Sequence, residues 1–195
     1  LPISPRAPWS GGTDSTWQDR IMLQAKQIFP TAPSKTKKPR LDPEKIEKFQ
    51  YQYKSTIKIE GTPAADYLAS RGIDVSLATA SRCGYSKNWG NIGEAVVFPI
   101  FNEAGKAIAI NGRAITKQPA DKKTRTYGLK SGGTFYTPGA LDSDPLAITE
   151  APIDALTLAL AGLPSIAVCG TSGLPQWIIK RLGSPATSTP KGFSR

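Results

Sequence analysis

Glu150 and Asp154 stand four positions apart in the stretch Ile148-Thr149-Glu150-Ala151-Pro152-Ile153-Asp154. Residues 146–149 are an apolar run long enough for a buried strand. Pro152 suits the first position of a helix, where its missing N–H is not needed. The two acids therefore fall at a strand's carboxyl end and in the first turn of the next helix. In open parallel α/β sheets the ligand crevice lies at that end. Two carboxylates there, beside the turn Gly170-Thr171-Ser172-Gly173, suit a hard cation such as Mg²⁺ or Mn²⁺. They equally suit a plain structural role, complementing the helix dipole.

A second set of residues suits phosphate. Residues 113–130 contain Arg113, Lys117, Lys122, Lys123, Arg125 and Lys130 against a single acid, Asp121, a local excess of five positive charges. Such a segment can grip a nucleic-acid backbone. Arg113 is the strongest single candidate, because a guanidinium binds phosphate through two bonds. Lys122 and Lys123 read equally well as a solvated loop. Tyr127 reads as a packed aromatic or as a base-stacking ring. Arg71 and Arg82 are expected to form surface ion pairs.

The whole chain leans the same way. Its 195 residues carry 25 Lys and Arg against 15 Asp and Glu, a net charge of +10, which favours a polyanionic partner. It has no histidine, which excludes His-based acid–base catalysis, a Ser-His-Asp triad and any His metal ligand within it. Cys83 and Cys169 lie far apart and form no Cys-x-x-Cys pair, so no zinc ribbon is encoded. They read as reduced thiols of a cytoplasmic protein. No apolar run reaches the roughly eighteen residues of a membrane span. The glycine spacings of dinucleotide-binding and P-loop proteins are missing. The first residue is Leu1 rather than Met, as in a fragment or processed product.

Elements must position these groups. Residues 1–15 are rich in Pro, Ser and Gly, and residues 30–41 are a basic, Pro-containing stretch; both read as linker. A short helix is expected over 17–29. Asp42 or Pro43 opens another through about Lys54, with Ile46, Phe49 and Tyr53 at helical spacing. Further short helices are expected from Thr62 or Pro63 to Gly72 and over 73–80. Residues 95–101 and 106–114 read as a hairpin turning at 102–105, with Pro99 marking an edge or bulge. Residues 117–130 read as a basic loop, and 136–141 as a connection. Ile153, Leu156 and Leu160 define the helix after Glu150, Gly162 and Pro164 stop it, and residues 166–169 form the next buried strand. That crossover suits two parallel strands.

The pattern Ile148-Thr149-Glu150-Ala151-Pro152-Ile153-Asp154-Ala155-Leu156, then Ala161-Gly162, then Cys169-Gly170-Thr171, resembles the first half of a Toprim domain, with Ala151 in place of the usual Gly. Upstream, Tyr67 to Ile73, Gly84-Tyr85, Val97 to Ile100, Asn102 to Gly105 and Gly112-Arg113 occur in the order of the subdomain that precedes Toprim in bacterial and phage-type primases. The resemblance covers about residues 61–173. It implies an α/β chain: a basic linker with short helices at 1–60, a primase-core-like α+β subdomain at 61–143, and a partial, Rossmann-like parallel Toprim domain with a disordered tail at 144–195. It implies metal-dependent synthesis of RNA primers, with Glu150 catalytic, Glu150 and Asp154 holding Mg²⁺ or Mn²⁺, and Arg113, Lys122, Lys123, Arg125 and Lys130 contacting single-stranded DNA template or ribonucleotides. A replicative helicase is a further partner it allows. The family's Lys-Tyr-Leu-Asn has no clean counterpart; Thr126-Tyr127-Gly128-Leu129-Lys130 stands there. A binding-only Toprim fragment and a Toprim nuclease are the alternatives. Residues 174–182 read as one more helix, with Trp177, Ile178 and Leu182 on one face. Residues 184–195 carry two prolines and no acid, so they cannot provide the Asp-x-Asp of a complete Toprim site. The expectation is a chain truncated within Toprim, with little polymerising activity alone.

Overall fold

Asp42 starts the first helix among the described residues by accepting the Glu44 N–H on its carboxylate at 3.2 Å, with Pro43 next in line. The helix, α1 (Pro43–Ser55), is further tied by Lys48 to Glu44 at 2.5 Å, one turn apart. The computed structural model describes residues 42–119, 123–170 and 173–183, all within one compact unit, Leu41–Arg195. The helix expected over 17–29, the linker readings, Lys122 and the tail lie outside the described residues.

After α1 come β1 (Ile57–Lys58), α2 (Pro63–Ala69) and α3 (Val75–Ala80), the last capped by Asp74, which accepts the Ser76 N–H at 2.7 Å. Then follow β2 (Gly84–Ser86), β3 (Ala95–Phe101), β4 (Ala107–Ala114) and β5 (Thr124–Gly128). The five strands form one antiparallel sheet in sequence order. The strand β3 is buried along its whole length. Its side chains alternate between two cores, as the two-residue period requires. Val96, Phe98 and Ile100 join the core carrying α2 and α3, while Ala95 and Val97 join Trp89, Ile92 and Ile110 beneath Phe49 of α1. Pro99 sits where β2 no longer pairs, so its missing N–H breaks no ladder on that side, and a bulge follows at Ile100/Phe101.

The second sheet holds β6 (Phe135–Tyr136), β7 (Ala147–Thr149) and β8 (Ser165–Ala167) in the order β6-β8-β7, with α4 (Pro152–Leu160) linking β7 to β8. These last two strands are parallel, as the crossover implied. Three readings are corrected. Residues 124–128 are a strand rather than loop, because Thr124, Thr126 and Tyr127 favour a pleated surface. The connection after Thr134 contains β6, antiparallel to β8, so this sheet is mixed. The strand β7 is not buried: it is an edge strand of the sheet among the described residues, and Ile148 is 46% exposed. In α5 (Gln176–Gly183), Ile178 is buried, while Leu182, one turn on along the same face and at the helix end, is 48% exposed.

One core runs through both sheets. Phe98 of β3 meets Phe135 of β6 edge-to-face at 5.6 Å, and Ile153 and Leu156 of α4 join them. Phe101 and Thr134 exchange backbone bonds of 2.9 and 3.0 Å, and the Thr134 hydroxyl donates to the Ala167 carbonyl at 2.8 Å. Among the described residues no helix is long and apolar enough to cross a membrane.

Tyr85 gives a pH prediction. Its buried phenol donates to the Glu94 carboxylate. That bond, and burial after it, push its pKa up to about 12. An unfolded tyrosine ionises near pH ~10. The folded chain thus keeps a proton that the unfolded chain loses, so this contribution is complete below pH ~10 and lost as pH rises through the folded value. Stability is expected to fall across that window. Tyr85→Phe should flatten the fall in a denaturant series measured at several alkaline pH values.

Candidate functional site

Parallel pairing of β7 and β8 puts their carboxyl ends at one end of the sheet. Thr149 holds that end: its carbonyl accepts the Val168 N–H at 3.1 Å, and its hydroxyl lies 3.1 Å from both the Ala151 and Ile166 carbonyls. Glu150 follows, exposed, and Asp154 stands exposed in the first turn of α4. Neither carboxylate forms a hydrogen bond or ion pair with a described residue, so their oxygens are open to solvent or a cation. Ala151, at the cap position, makes no side-chain bond to the helix.

Lys130 arrives at the same end from the connection between β5 and β6. Its ammonium donates to the Cys169 carbonyl at 3.2 Å, just past β8, and a Cβ on Gly170 would lie 2.9 Å from it. The nearby Cys169 thiol is raised to about 12 by burial, so it stays protonated at neutral pH and is not a nucleophile. Cys83, buried, is pushed higher still. Among the described residues no group of three or more Cys, Asp or Glu is placed to hold a metal ion.

The other basic residues do not form one patch. In the β4–β5 register Arg113 faces Thr124, and Arg125 faces Gly112. Adjacent positions on a strand point to opposite faces. Arg113 therefore shares its face with Asn111 and Thr126, which bond at 2.8 Å, on the side of the core common to both sheets. It is partly exposed and has no partner among the described residues. Arg125 lies on the opposite face, towards α1. Its guanidinium donates to Asn91 at 2.6 Å and lies 5.0 Å from the Tyr127 ring centre, and its carbonyl accepts the Trp89 indole N–H at 2.9 Å. Lys117 and Lys123 are exposed between the strands. Tyr127 is packed edge-on against Trp89 at 5.1 Å, which decides between its two readings.

Arg71 and Arg82 form no ion pair with a described residue, contrary to expectation. They lie over rings: Arg71 4.9 Å from Tyr67, and Arg82 4.2 Å from Phe101 with a 3.3 Å bond to the Tyr136 hydroxyl. The sequence reading also missed Trp89 and Asn91, which set the position of Arg125. The alternation Thr124-Arg125-Thr126-Tyr127 was the available signal for that strand.

No protein-family profile and no curated protein sequence matches the chain. Solved structures do. The RNA polymerase domain of Mycobacterium tuberculosis primase DnaG superposes with a TM-score of 0.52 at 18% identity, covering 71% of this chain and 60% of that one. The same domain in complex with a double-stranded DNA oligomer carrying a 6-nucleotide overhang gives 0.50 at 18%, covering 72% and 59%. The chain thus spans about three-fifths of the length of those domains. At this identity the likeness is one of fold: the mixed α/β fold of a primase catalytic core.

Proposed function

We propose that this chain belongs to the catalytic core of a primase-type nucleotidyltransferase, which makes RNA primers on single-stranded DNA. The observation that carries the reading is the pairing of unlike groups at one sheet end: Glu150 free of partners past β7, and Lys130 held past β8 by the Cys169 carbonyl. In this reading the antiparallel sheet, which but for β1 lies within residues 61–143, is the nucleic-acid platform, and residues 144–195 are the Toprim-like part.

The donor chemistry fits Mg²⁺ or Mn²⁺. Glu150 and Asp154 offer hard carboxylate oxygens unclaimed by any described cation, and Mg²⁺ takes one or two carboxylates, waters and substrate phosphates. The ion supplies neutralisation of the phosphate charge when bound. The chain's own residues do the positioning. Arg113 offers two parallel N–H donors to a phosphate on the side facing the shared core. Lys130 offers a point charge, its direction set by the Cys169 carbonyl.

Titration with Mn²⁺, followed by its paramagnetic resonance, tests the site directly. Glu150→Gln is expected to weaken Mn²⁺ at least about tenfold, since even groups that only support a ligand cost that much. Equal Mn²⁺ affinity in both forms removes the metal site. Primer synthesis on single-stranded template by the 195-residue chain is expected to be weak, because the described residues supply only two carboxylates. Nicking of duplex DNA, lost in Glu150→Gln, would favour a nuclease instead.

A further inference from the structure

We propose that the cleft between α1 and β5 is a pocket for one base of a single-stranded nucleic acid. It lies on the face of the antiparallel sheet opposite Arg113, and it rests on the nucleic-acid reading above. The cleft measures about 480 Å³, and Glu47, Lys48, Tyr51 and Gln52 of α1 face Arg125 and Tyr127 of β5 across it.

Gln52 points to the ligand. Its side chain lines the cleft and is only 9% exposed, yet its Oε1 has no hydrogen-bond donor. Buried polar atoms are rarely left so, because losing water without a replacement is costly. The oxygen is closed to solvent as the amide stands; turning the amide into the cleft presents it to a ligand N–H, which removes the cost. The Watson–Crick edges of unstacked bases carry such groups.

Tyr51 supplies the second requirement. Its ring, one residue before Gln52, is 69% exposed at the wall of the cleft. An exposed aromatic there is a platform for a stacked base. Arg125 supplies the third. Asn91 and the Tyr127 ring hold its guanidinium, and donors remain for a phosphate or a base edge. Gly90 makes room for this arrangement: a Cβ there would lie 2.5 Å from the Tyr127 hydroxyl and 3.0 Å from Arg125 Nη1.

Charge narrows the choice. Lys48 is paired with Glu44, and Glu47 opposes Arg125 across the cleft. The lining is close to neutral in sum, which suits an uncharged base better than a phosphate group. The phosphates of the strand then pass on the Arg125 side.

The test is fluorescence anisotropy with a labelled single-stranded DNA and with an abasic strand of the same length. Tyr51→Ala is expected to weaken the ordinary strand roughly tenfold, the scale of one lost stack. Tyr51→Phe should bind as the unsubstituted chain does. Neither should alter the abasic strand. Gln52→Leu should also weaken the ordinary strand, while its melting temperature holds or rises because the orphan oxygen is gone. A free nucleoside triphosphate that competes, and is itself weakened by Tyr51→Ala, identifies the mononucleotide as the source of the base. Unchanged binding in Tyr51→Ala, or equal weakening on both strands, overturns the pocket. No binding of either strand by the unsubstituted chain overturns the nucleic-acid reading and the pocket with it.

Discussion

Gly112→Ala is expected to destabilise the fold by about 3 kcal/mol or more. A Cβ at this position would lie 2.1 Å from Trp89 Nε1 and 2.4 Å from both Cδ1 and Cε2. The indole cannot step aside cheaply. It is fully buried, its N–H is bonded to the Arg125 carbonyl, and Tyr127 closes against it edge-on. Overfilling a packed core costs roughly 1–3 kcal/mol, and stranding a buried N–H adds about 1–3 more. For a domain of this size the loss corresponds to a melting point lower by about ten degrees. Thermal or denaturant unfolding reads it directly. Gly132→Ala is the control, since its added methyl would meet only Ile108 Cδ1 at 3.6 Å. An unchanged midpoint in Gly112→Ala would mean that the indole does not lie over this strand.

Reversing Arg113 and Lys130 together to Glu should weaken single-stranded DNA binding about a hundredfold at low salt. The Cys169 carbonyl holds Lys130 at the sheet end of the carboxylates, and the β4 register puts Arg113 on the face of the antiparallel sheet that meets the shared core. Each phosphate contact on a single strand contributes about 0.7 to the slope of log affinity against log salt. Losing two should flatten that slope by about 1.4, and reversal of sign adds repulsion. The same substitution should lower the melting temperature only modestly, by the loss of the Lys130 bond to the Cys169 carbonyl, because neither side chain belongs to a core. Affinity measured at several salt concentrations gives both numbers. An unchanged slope would show that no phosphate of the strand reaches these two side chains and that the Arg125 face alone holds it.

Much of the frame was readable from local chemistry. The acid after an apolar run, the Pro that follows, and the apolar positions at 153 and 156 together specify strand, helix and parallel strand. The continuous apolar, β-rich run of 95–101 announces the central strand, and Pro99 announces its irregular end. Placement of the basic residues was not readable. Six cations in eighteen positions look like one patch when written on a line. Pairing of β5 with β4 sorts Arg113 and Arg125 to opposite faces, and no count of charges can reveal that. The loop reading of 117–130 had hidden the sorting, because a loop has no faces. The exposure of Ile148 was equally invisible: an apolar strand residue is buried only if something lies beside it, and that depends on sheet order.

The reciprocal bonds between Phe101 and Thr134 limit how the molecule can move. With the Thr134 hydroxyl on the Ala167 carbonyl, the antiparallel sheet and the parallel pair are welded by hydrogen bonds at one seam. A hinge needs a few residues free to rotate, and this seam has none to spare, because Thr134 is wholly buried and bonded on both sides. The sheet face carrying Arg113 and the strand end carrying Glu150 are therefore held in one frame rather than as the two sides of a jaw. On the function proposed above, a template strand must fit this frame as built or bend to do so, and discrimination between one strand and two falls to shape instead of closure.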